Sequence, residues 1–143
     1  MRENNTVAQG ARISIVEDDA SMREAIKTLI GSMGVGVEEF SSAEDFLNSR
    51  PSQVDCLILD VRMPGLSGLE LQRRLVADNR PVPIVFITAH YLEEERTRAI
   101  EAGAVAFLSK PFTEQQLLSA ISASLTINKK FANGSGEECD QIS

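Results

Sequence analysis

Cys56-Leu57-Ile58-Leu59-Asp60-Val61-Arg62-Met63-Pro64-Gly65 carries four apolar residues straight into one carboxylate and then into a Pro-Gly turn. An apolar run without alternation reads as a strand buried on both faces, as central strands of parallel sheets are. Such a strand delivers Asp60 to its carboxyl end, where open α/β sheets build their sites. An aspartate held there serves as a metal ligand, a nucleophile or both.

Working outward, the same pattern recurs. Arg12–Val16 is a short strand that ends in Glu17-Asp18-Asp19. Met22, Ile26, Leu29 and Met33 follow at helical spacing, with Asp19 as the cap and Gly34 as the stop. Val35–Phe40 is a second strand, and Ser41-x-x-Glu44 or Ser42-x-x-Asp45 starts a helix with Phe46 and Leu47 inward. Pro51 ends that helix, and Val54–Leu59 is the central strand. Gly65 to Gly68 is a loop, and Leu69, Leu71 and Leu75 mark the next helix. Ile84–Ile87 is a fourth strand ending in Thr88, and Leu92–Ala102 is a charged helix stopped by Gly103. Ala104–Leu108 is a fifth strand ending in Ser109-Lys110-Pro111. Thr113-x-x-Gln116 caps a last helix with Leu117, Ile121 and Leu125 inward. Strand and helix thus alternate five times, which implies a parallel sheet covered on both faces.

Composition bounds the function. The 143 residues suffice for one domain with a real core, residues 11–128, between a disordered start at 1–10 and a flexible tail or linker at 129–143. A net charge of −7 argues against direct nucleic-acid binding, which needs a basic face. The apolar runs are strand-length, so no membrane span is expected, and the start carries no signal-peptide pattern. Cys56 sits in the core strand and Cys139 in the polar tail, so no disulfide is expected, and the setting is cytoplasmic.

In a parallel sheet the strand ends share one edge. Glu17, Asp18, Asp60, Thr88 and Lys110 therefore converge. Three crowded carboxylates repel unless a cation joins them. Lys110 is one cation, and oxygen-only ligands on a solvated edge suit Mg²⁺ as a second. A metal, a lysine and a hydroxyl around one aspartate are the equipment of phosphoryl transfer.

On these residues the chain resembles the receiver domain of two-component response regulators, over roughly Arg12 to Asn128. The motifs are the acidic pair Glu17-Asp18, the run Asp60-Val61-Arg62-Met63-Pro64-Gly65-x-Ser67-Gly68, Ile87-Thr88-Ala89 and Lys110-Pro111-Phe112. The stretches Asp60–Leu71 and Ala102–Phe112 look most like the FixJ-like subfamily. The resemblance implies a flavodoxin-like (βα)5 doubly wound sheet of order 2-1-3-4-5. It implies Asp60 as phosphoacceptor, Asp18 as direct Mg²⁺ ligand, Glu17 as a ligand through water, and the Arg62 carbonyl as a further ligand. Thr88 matches the switch hydroxyl, Lys110 the family's lysine, and Phe107 the aromatic that changes rotamer. Lys110-Pro111 matches a cis peptide. Arg62 and His90, two residues past Asp60 and Thr88, occupy positions that tune hydrolysis. Glu17 stands where many members have Asp, and Phe107 lacks the hydroxyl of the Tyr in some relatives.

The implied partner is a sensor histidine kinase. Phosphorylation would switch the face of the fourth helix, fifth strand and fifth helix for a partner or for a homodimer. The chain is then either a stand-alone receiver or the receiver of a longer DNA-binding transcription regulator, and not an enzyme of metabolism. A Mg²⁺-dependent aspartate-nucleophile phosphohydrolase is the rival, but Arg62 stands where such enzymes place a second acid. A phosphorylation-independent interaction module is the other. Three features are read blandly: Glu93-Glu94-Glu95 as a solvated helix face, Cys56 as a small core residue, and His90 as an exposed loop side chain.

Overall fold

The structure is a computed structural model and describes residues 10–127. Expectations for the chain before and after these residues, Cys139 included, lie outside the described residues. The strands are β1 (Arg12–Val16), β2 (Gly36–Phe40), β3 (Cys56–Asp60), β4 (Ile84–Thr88) and β5 (Ala106–Ser109). The helices are α1 (Ala20–Ile30), α2 (Ala43–Ser49), α3 (Gly68–Ala77), α4 (Glu93–Glu101) and α5, described over 114–127. All strand pairs are parallel, and the order is β2-β1-β3-β4-β5. This is the flavodoxin-like order that the resemblance implied.

Alternation along each central strand sends side chains to two separate cores. Leu57, Leu59 and Val61 pack with Phe86 against α2, α3 and α4, through Phe46, Leu71, Leu75 and Ala99. Cys56 and Ile58 pack with Ile13, Ile15, Val85 and Ile87 against α1 and α5, through Ile26, Ile30, Leu117 and Ile121. All five residues of β3 and of β4 are buried, which is why these strands read as unbroken apolar runs.

Some boundaries differ from the sequence pattern. Val35, Val54 and Ala104 are apolar and face the cores, but the strand ladders begin after them. Side-chain burial therefore extends past the hydrogen-bonded segment, and sequence sees only burial. α1 stops at Ile30 and tightens into a 3-10 turn over Gly31–Met33 before Gly34 takes the left-handed conformation, φ 73°. Arg50, not Pro51, closes α2 with φ 47°.

Candidate functional site

The ladder runs past the last assigned residues at the carboxyl edge. Glu17 N–H donates to Phe40 O at 3.1 Å, Val61 N–H to Ile87 O at 3.0 Å, and Lys110 N–H to Thr88 O at 2.7 Å. Val16 pairs with Leu59, so the next step sets Glu17 beside Asp60. These bonds extend the ladder pairing into the loop entrances.

Gly68 brings the start of α3 against this edge. Its N–H donates to Val61 O at 2.9 Å. An added Cβ there would lie 2.2 Å from the Asp60 carbonyl oxygen, so only glycine permits the approach. Ser67 caps α3 with Glu70 in a reciprocal capping box. On the neighbouring loop, Glu44 of α2 accepts from Leu66 N–H at 2.9 Å.

Glu17, Asp18 and Asp60 each offer a carboxylate oxygen, and these oxygens all lie within 4.8 Å of one another. Glu17 and Asp60 are buried and Asp18 is exposed. Lys110 Nζ lies 3.0 Å from Glu17 Oε1 and 3.5 Å from Asp60 Oδ2. The Lys110–Pro111 peptide is cis. Glu17 also accepts from Asp19 N–H at 3.0 Å, and Asp19 in turn caps α1 by accepting from Ser21 and Met22 N–H. The acidic turn thus serves two masters: one residue caps a helix and two face the site.

Burial pushes the Glu17 carboxyl above the usual glutamate range, and its hydrogen bond with Asp60 acts in the same direction; the Asp19 amide and Lys110 oppose them. For Lys110, burial acts to lower the ammonium, but the hydrogen bond to Glu17 and the charges of Asp60 and Glu17 outweigh it, and the net direction is up. One ammonium set against three carboxylates leaves an excess of negative charge. An all-oxygen donor set with that excess fits a hard divalent cation.

The remaining expected residues occupy different surroundings. Thr88 ends β4 and is fully buried, and its hydroxyl is committed to its own loop. It donates to His90 O at 3.0 Å and accepts from His90 N–H at 3.1 Å. His90 is exposed. Phe107 is half-buried between Phe86 and Tyr91, each with ring centroids 5.8 Å away. Arg62 keeps its backbone at the site, its N–H donating to Asp60 Oδ1 at 3.2 Å. Its guanidinium leaves the site and meets Glu95 of α4, with Nη2 at 2.9 and 3.0 Å from the two carboxylate oxygens.

That last contact corrects the view of Glu93-Glu94-Glu95 as only a solvated face. Glu95 is engaged across the loop, and no spacing in the sequence links residues 33 positions apart. Gln72, buried in α3, was also missed; it donates to Ala99 O at 3.0 Å and ties α3 to α4. The Ser67-x-x-Glu70 capping signal is present in the sequence and straddles the end of the loop from Gly65 to Gly68 and the helix marked by Leu69.

Sheet order and edge together define a receiver. The response regulator receiver domain family matches residues 13–122, and the chain belongs to it. Among named relatives, Nodulation protein W of Bradyrhizobium diazoefficiens is 46% identical over 121 residues, covering 84% of this chain and 53% of that protein. Transcriptional regulatory protein FixJ of the same organism is 40% identical over 114 residues, covering 79% of this chain and 56% of that one. The solved structure of response regulator StyR superimposes with a TM-score of 0.80 at 45% identity, covering 92% of this chain and 67% of that one. The chain spans about half the length of the curated relatives it matches. Among the described residues no helix is long and apolar enough to cross a membrane.

Proposed function

We propose that this domain is a phosphorylation-controlled switch in two-component signalling, with Asp60 as phosphoacceptor. The observation that carries it is the convergence of three carboxylates within 4.8 Å, with Lys110 Nζ touching both Glu17 and Asp60. Glu17, Asp18, Asp60 and the Arg62 carbonyl would hold Mg²⁺, which when bound offsets charge on the phosphoryl oxygens. The donor is a phosphohistidine of a sensor histidine kinase. An Asp60 carboxylate oxygen forms the new P–O bond as the P–N bond breaks, and the departing imidazole nitrogen takes up a proton. Lys110 steadies the negative charge on the transferring group. Water later cleaves the acyl phosphate to inorganic phosphate, with Arg62 and His90 flanking the group and setting its lifetime.

The output is a conformation. Thr88 gives up its bond to His90 O and turns to a phosphoryl oxygen, and Phe107 moves with it. The face of α4, β5 and α5 then engages a partner or a second copy of the chain. The domain acts in the cytoplasm and catalyses only its own phosphorylation and dephosphorylation.

Intact-mass spectrometry after incubation with acetyl phosphate tests this. One added phosphoryl group is expected with Mg²⁺, and none with chelator or with Asp60→Asn. Incorporation that survives Asp60→Asn would sink the assignment. The coverage of FixJ, a transcriptional regulatory protein by name, favours a further reading: the same switch controls transcription as the receiver of a longer polypeptide. The mass of the native polypeptide in cells checks it.

A further inference from the structure

We propose that Glu95 is a positioning residue that latches the resting state: it holds the Arg62 guanidinium and ties the first turn of α4 to the β3–α3 loop until phosphorylation breaks the pair. This rests on Asp60 being the phosphoacceptor.

α4 buries fewer residues than α1, α2 or α3. Ala99 is its one buried residue, and Leu92 at its start supplies no side-chain cap. Its polar tie toward the C-terminal end is Gln72 to Ala99 O. In the first turn, Glu93 is engaged locally, with Tyr91 Oη at 2.6 Å and Arg96 at 3.7 Å. Glu95 is the residue of that turn that reaches another element, and its side chain is only 15% exposed against 47% for Arg62. One guanidinium nitrogen bridges both of its oxygens.

The other end of this tie is the site itself, since the Arg62 amide donates to Asp60 Oδ1. A phosphoryl group on Asp60 adds negative charge and acceptor oxygens two residues from Arg62. That new anion then competes with Glu95 for the Arg62 guanidinium, whose contact with Glu95 runs through Nη2. Glu95 has somewhere to go. The cleft beside it, about 380 Å³, is also lined by Arg73, Arg98 and Glu70. Two alternative pairings for one carboxylate make a bistable contact on a weakly held helix, and phosphorylation biases it through charge.

Equilibrium binding of beryllofluoride, a phosphoryl mimic, in the presence of Mg²⁺ tests the latch. Wild type, Glu95→Gln and Glu95→Lys are compared, with far-UV circular dichroism confirming the fold. Loss of a pair made only in the resting state favours the switched state, so Glu95→Gln is expected to bind about two- to fivefold tighter. Glu95→Lys, which repels Arg62, is expected to exceed it. Amides of residues 93–97 are expected to exchange faster in both variants without ligand, while α1 and α3 stay unchanged. Unchanged or weaker binding in both variants, with normal binding by wild type, overturns the latch alone. Absence of binding by wild type overturns the phosphoacceptor assignment and the latch with it.

Discussion

Replacing Gly68 by Ala places a methyl group against the backbone of Asp60. The added Cβ would stand 2.2 Å from the Asp60 carbonyl oxygen and 3.1 Å from both the Asp60 carbonyl carbon and Leu59 Cγ. An ordinary carbon–oxygen contact is roughly 3.3 Å, so the two segments must part by about 1 Å. Neither side gives easily. Asp60 is locked in register with Ile87, and Gly68 N–H is bonded to Val61 O. Overpacking of this kind costs about 1–3 kcal/mol, and the stiffer unfolded chain returns about 0.4–1 kcal/mol, leaving a net loss of about 1–2 kcal/mol. With a urea dependence of about 2 kcal/mol/M, the unfolding midpoint falls by roughly 0.5–1 M. Gly31→Ala is the matched control. Gly31 has φ −60°, ψ −27° and nothing within 4 Å of its built Cβ. There the same substitution is expected to stabilise by about 0.4–1 kcal/mol and raise the midpoint. Phosphoryl incorporation is expected to drop in Gly68→Ala and not in Gly31→Ala. Equal midpoints for Gly68→Ala and wild type, or shifts of one sign in both variants, would refute the close-approach reasoning.

Two further outcomes follow from the site and the caps. Lys110→Met leaves the buried Glu17 and Asp60 carboxylates facing each other. Because Lys110 keeps some solvent contact, the loss should sit below the about 3–5 kcal/mol of a fully buried pair, on the order of 2 kcal/mol in chelator. Mg²⁺ should restore part of it by ligand linkage, and a variant as stable as wild type without Mg²⁺ would contradict the ion-pair assignment. The Ser67 amide holds the Glu70 carboxyl below its usual value of 4.5, so Glu70 stabilises α3 at neutral pH and that contribution is lost as pH falls through the depressed value. Thermal unfolding of wild type and Glu70→Gln should therefore converge on acidification, and a gap that widens instead would reverse the sign.

The relation between Arg62 and Asp60 shows how structure and sequence divide the work. As neighbours in sequence they were read together, and the amide-to-carboxylate bond at 3.2 Å follows from that closeness. Where the guanidinium points was not legible, because it depends on where α4 lies. Thr88 is similar: its place at the end of β4 was readable, but the commitment of its hydroxyl to His90 came from the turn that follows.

By itself the sequence determined the alternation of strands and helices, the two-sided burial of β3 and β4, and the shared edge for Glu17, Asp18, Asp60, Thr88 and Lys110. It could do so because burial and helical period are local properties, written at spacings of two to four residues. Only the tertiary structure decided which side chains meet across that edge. Lys110 grips Glu17 93 residues away, Arg62 turns to Glu95, and Gly68 admits α3 to the back of Asp60. Such contacts depend on strand register and on the approach of packed layers, both of which exist only once the chain has closed on itself.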